Sequence, residues 1–174
     1  MKRELMEILA CPVCKGDLEL EVTIEGDEIE VVLENLTITG ASGDCSDAPE
    51  RCSHGLVVKG SARVSLKDSE VAENRSDGLL VKDSARVSLQ DCTVSDNGWY
   101  GLVMVDSTQV SLQDCTVSGN RYGLEVGGSA QVEVRQSHFL DNAGAGIAVW
   151  SEEAQVEGTL NEMRGNGADL CGYA

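Results

Sequence analysis

The sequence predicts an all-β fold, a parallel β-helix built as a solenoid of about five to six coils and preceded by a short N-terminal helix. Three observations lead there. A sentence of about 23 residues recurs from Gly55 onward, its opening glycines being Gly55, Gly78, Gly101, Gly123 and Gly146. Each copy holds three short alternating apolar runs separated by Asp, Ser, Gly or Asn, a strand-and-turn pattern with no room for a helix. Aromatics are scarce (one Phe, two Trp, three Tyr), so a core must be filled by stacked aliphatic side chains, which suits a narrow solenoid.

The elements follow in chain order. In residues 2–9, Leu5, Ile8 and Leu9 share one side of a short helix that Pro12 ends. That amphipathic helix is placed in sequence to close the first coil. Next comes CPVCKG, in which Cys11 and Cys14 have the spacing that grips one face of a tetrahedral zinc ion. A structural zinc site needs four ligands, and there is no second C-x-x-C. Cys45 and Cys52 are the candidates for the missing pair; the other reading of Cys11 and Cys14 is a packed turn. A Cys45–Cys52 disulfide requires an oxidising compartment, and a thioredoxin-like role for C-P-V-C lacks its βαβ context.

The stretch MKRELMEILACPVCKGDLEL resembles the opening of the Trm112-like family of small zinc-ribbon proteins, in the order helix, knuckle, strand. The resemblance implies that Cys11 and Cys14 form the first half of a zinc site. It also implies a partner role, since members of that family activate methyltransferases acting on tRNA, rRNA or release factors. The family's second knuckle and closing strand segment are absent after Glu30. Two segments are therefore expected: an N-terminal fragment, residues 1–30, and the solenoid, residues 31–174.

Residues 31–54 read as a divergent first coil whose loop is enlarged by GDCSDAPERCSH. Parallel coils are preferred to antiparallel hairpins because equivalent positions stay apolar in every copy and no two-residue N-G or D-G turn joins consecutive strands. Neighbouring copies then stack at about 4.8 Å. Leu56, Leu79, Leu102, Leu124 and Ile147 make one inward column, and Val64, Val87, Val110, Val132 and Val156 another. Cys92 and Cys115 fall between Ser69 and Ser137 in a column of small inward residues and are expected to remain thiols. Asn74, Asn97, Asn120, Asn142 and Asn166 recur at the last corner, where their amides can bond to the copies on either side.

Residues 31–174 resemble the right-handed parallel β-helix repeats of the pectate-lyase-like superfamily, including NosD-like and surface proteins. That resemblance implies the right-handed coil. It does not choose among lyases, hydrolases, adhesins and binding scaffolds.

For an enzyme of that kind, the R-I-K and G-H-G elements of galacturonase-like sites are missing. Asp68, Asp91 and Asp114 stack at equivalent positions and could share a calcium ion, or serve as corner residues bonding backbone N–H groups. His54 and His138 lie more than three coils apart and cannot form one acid/base pair. Trp99, Tyr100, Arg121 and Tyr122 form a ridge at the last corner that could stack on sugars, fill a partner's pocket or cover the adjacent coil; Trp150 sits at the following corner.

The formal charge of −17 disfavours nucleic acid and anionic lipid as partners. No apolar run reaches the ~18 residues of a transmembrane helix. Glu4 and Glu7 interrupt the first apolar patch, so no secretion signal is legible and the chain as written belongs to the cytoplasm; a different native start would make it extracellular or cell-surface. GNGADLCGYA carries no capping helix, which raises end-to-end homo-oligomerisation through the last coil. The leading expectation is a non-enzymatic scaffold that binds carbohydrate or protein on its outer face. Its alternatives are the methyltransferase-activating zinc protein and a polysaccharide lyase or hydrolase.

Overall fold

The computed structural model describes residues 18–20, 30–41 and 53–172. The short N-terminal helix and the cysteines Cys11, Cys14, Cys45 and Cys52, with any zinc they hold, lie outside these residues. All regular structure among the described residues is β-strand. The first sheet is made of β1 (Leu18–Leu20), β4 (Leu56–Val58), β7 (Leu79–Val81), β10 (Tyr100–Met104), β13 (Tyr122–Val126), β16 (Ala145–Val149) and β19 (Ala168–Gly172). The second contains β2 (Glu30–Glu34), β5 (Arg63–Lys67), β8 (Arg86–Gln90), β11 (Gln109–Gln113), β14 (Gln131–Arg135) and β17 (Gln155–Thr159). The third contains β3 (Thr37–Thr39), β6 (Glu70–Ala72), β9 (Thr93–Ser95), β12 (Thr116–Ser118), β15 (His138–Leu140) and β18 (Glu162–Arg164).

Every pairing is parallel and joins a strand to its counterpart one copy away, so each repeat is one coil with three sides. The register matches like with like: Leu79 pairs with Leu102, Val87 with Val110 and Val94 with Val117. A slip of one residue would turn each inward column to solvent, which is why the alternation fixes the register. The predicted leucine column is buried from Leu56 to Ile147, and the valine column from Val64 to Val132. Val156 is only partly buried, because it lies in the last described coil and is covered from one side.

The asparagine column is a continuous hydrogen-bonded ladder. Asn74 Nδ2–H donates to Asn97 Oδ1 (2.9 Å), Asn97 to Asn120 (3.0 Å), Asn120 to Asn142 (3.2 Å) and Asn142 to Asn166 (2.9 Å). The same oxygens accept backbone N–H groups of the preceding coil, as from Asn97 N to Asn120 Oδ1 at 3.0 Å. Polar groups are thereby buried with partners on both sides, which the interior demands. The glycine column stands beside this ladder for lack of space. A Cβ on Gly123 would come within 2.4 Å of the Gly146 carbonyl oxygen.

Candidate functional site

The long strands of the second sheet shape an extended concavity, a trough of about 640 Å³. Two outward rows line it. One runs Arg63, Arg86, Gln109, Gln131, Gln155, and the other runs Ser88, Ser111, Glu133, Glu157. The trough exists because Ser88 and Ser111 are short where the neighbouring row is long, so the floor dips between amide and guanidinium groups. From β5 to β17 it crosses five strands, about 19 Å at ladder spacing. From β8 to β17 each coil offers it one long polar side chain and one hydroxyl or carboxylate.

The residues singled out by sequence lie at two other places. Asp68, Asp91 and Asp114 occupy the corner between the second and third sheets, each with positive φ (47°, 53° and 52°). Their backbone N–H groups donate to carbonyls of the following coil, Asp68 to Gln90, Asp91 to Gln113 and Asp114 to Arg135. Asn35, Gln136 and Leu160 hold the same left-handed conformation in the other coils. A position that takes Asn, Asp, Gln and Leu alike is selected for its backbone, and Asp tolerates that conformation well. Among the described residues no group of three or more His, Cys, Asp or Glu side chains is arranged to hold a metal ion.

The aromatic ridge does assemble, at the corner between the third and first sheets. Tyr100 and Tyr122 stack with ring centroids 5.3 Å apart, and the Arg121 guanidinium sits 4.3 Å above the Trp99 ring. A Cβ on Gly144 would strike the Tyr122 ring at 2.5 Å, so that ring lies flat on the next coil. Burial, then a hydrogen bond to Glu125, pushes the Tyr100 hydroxyl pKa above the usual tyrosine range. The two tyrosines thus cover the outer face of the first sheet, while Trp99 keeps 47% of its surface exposed. The third sheet separates the ridge from the aspartate corner, and neither lines the trough.

The ridge continues into a pair that sequence reading missed. His54 Nδ1 lies 3.0 Å from Asp77 Oδ2, and both residues are buried. Asp77 Oδ1 accepts the Tyr100 backbone N–H at 3.2 Å. His54, Asp77 and Tyr100 occupy equivalent positions of successive coils, and that equivalence was the available signal. His138 lies apart on β15, 3.7 Å from Glu162.

Cys92 and Cys115 are buried free thiols in neighbouring coils. Their sulfurs donate to the Gln90 and Gln113 carbonyls, each at 3.2 Å. Contact between the two thiols pulls Cys92 down, to about 7, and raises Cys115, with burial adding to the rise. Enclosure by Val and Leu keeps both from reagents, so they fill space.

Fold and surface together define a parallel β-helix with a polar trough on its second sheet. Residues 21–169 match the family model described as right handed beta helix region, and the chain belongs to that family. Comparison with curated proteins and with solved structures gave no match.

Proposed function

We propose that the protein is a carbohydrate-binding scaffold whose ligand is an extended glycan lying along the trough of the second sheet. The observation that carries this reading is the repeat of one amide or guanidinium and one hydroxyl or carboxylate per coil, at a spacing close to the rise of one pyranose in an extended chain. Gln and Ser side chains both donate and accept, as sugar hydroxyls do. A peptide is the poorer fit. Extended peptides bind sheets by pairing with a strand edge, and the trough lies on a sheet face whose strands β8, β11 and β14 are already paired on both sides.

The test is calorimetric titration of a panel of neutral and charged oligosaccharides, six sugars long, into the parent and Ser111→Trp. Filling the floor with an indole is expected to abolish binding while the circular dichroism spectrum stays that of the parent. A parent that binds no member of the panel at millimolar concentration refutes the reading, as does a Ser111→Trp variant that binds like the parent.

A further inference from the structure

The trough is electrically polar along its length. At its amino-terminal end Arg63 and Arg86 face it, with Lys59 and Lys82 on the corner leading into β5 and β8. At its carboxyl-terminal end it is faced by Glu133 and Glu157, with Glu152 and Glu153 on the corner leading into β17. Between them Gln109, Ser88 and Ser111 are neutral. The change is abrupt because the two rows switch residue type at different coils. The long row goes from Arg to Gln between β8 and β11, and the short row from Ser to Glu between β11 and β14.

Resting on the glycan reading above, we infer that the trough selects a glycan carrying amino sugars over Glu133 and Glu157 and an acidic sugar over Arg86, and rejects uniformly acidic polysaccharides. A polyuronate would set a carboxylate beside Glu133 and another beside Glu157, and like charges at ladder spacing repel. Arg135, two residues along the same outward face of β14, hydrogen-bonds to Glu133, so Glu157 is the stronger cation point. Arg86 stands two strands from Glu133 and three from Glu157, or about 10 and 14 Å along the axis. The complementary acid and amine are therefore two to three sugars apart, and their order fixes which way the chain lies. The net charge of −17 acts in the same sense, drawing a cationic chain and repelling an anionic one at long range.

Four hexasaccharides test this by calorimetry at about pH 6, where amino sugars are protonated. They are a block chain of three glucuronates followed by three glucosamines, a glucosamine chain, an N-acetylglucosamine chain and a galacturonate chain. Affinity is expected to fall in that order, by about two- to fivefold per step at low ionic strength, with the steps shrinking as salt is added. Glu133→Gln combined with Glu157→Gln is expected to raise the ratio of galacturonate to glucosamine binding. Arg86→Gln is expected to bring the block chain down to the glucosamine chain. Galacturonate binding as well as glucosamine to the parent overturns the inference. Equal, salt-insensitive binding of all four removes the charge selection and leaves the trough reading standing. Binding of none overturns both.

Discussion

Replacing Asn120 by alanine removes one rung from the middle of the asparagine ladder. Its side-chain oxygen accepts from Asn97 N and Asn97 Nδ2, and its Nδ2 donates to the Val94 carbonyl at 3.2 Å and to Asn142 Oδ1. In Asn120→Ala the Asn97 backbone N–H loses its partner in the interior, while Asn97 Nδ2 keeps the Val71 carbonyl and Asn142 Oδ1 keeps the Asn120 backbone N–H. A buried group left unsatisfied costs about 1–3 kcal/mol, which is the expected loss. For a chain of this size each kcal/mol moves the midpoint by about 2–4 °C, which places the expected fall between about 2 and 12 °C. Thermal and urea unfolding of the variant should be compared with exposed Gln113→Ala, expected to lie within about 0.5 kcal/mol of the parent. A loss below about 1 kcal/mol for Asn120→Ala would refute the claim that the ladder bonds hold the coils together.

Other outcomes follow from the same geometry. Val87→Asp puts an unpaired charge into a continuous column and should abolish cooperative unfolding; a melting curve like the parent's would contradict the inward assignment. Asp91→Gly should be nearly neutral and Asp91→Val destabilising by about 1–2 kcal/mol in urea unfolding, because only the latter resists positive φ. Thiol labelling of the native protein, read by peptide mass spectrometry, should leave Cys92 and Cys115 unmodified until denaturant is added. The raised Tyr100 pKa makes the folded state hold its proton where the unfolded chain loses it. That contribution is whole below about pH 10 and is lost as pH rises toward the folded value, so Tyr100→Phe should unfold less steeply with pH above about 10.

The interior was legible because a residue's neighbours in space are its equivalents in the repeat. Leu56, Leu79 and Leu102 look alike in the sequence and touch in the fold, and the same holds for the asparagines. The aspartate corner was legible as a turn, and the structure extends that position to Asn35, Gln136 and Leu160, where residue type gave no hint. The trough was not legible as a site. It depends on a short row beside a long one, and both rows change identity along the axis, so neither stands out as a column. His54 and Asp77 escaped for a related reason: they hold equivalent positions in adjacent coils but differ chemically, and a reading that groups like residues passes over an unlike pair.

The 18.5 kDa chain suits the measurement that bears most directly on where its ligand lies, namely side-chain N–H resonances followed during titration with the tightest-binding hexasaccharide. The trough reading predicts that the Gln109 and Gln131 amide signals shift together with saturation while the Trp99 indole N–H stays in place. A saturating shift of Trp99 with the glutamine signals unmoved would transfer the site to the aromatic ridge and contradict it.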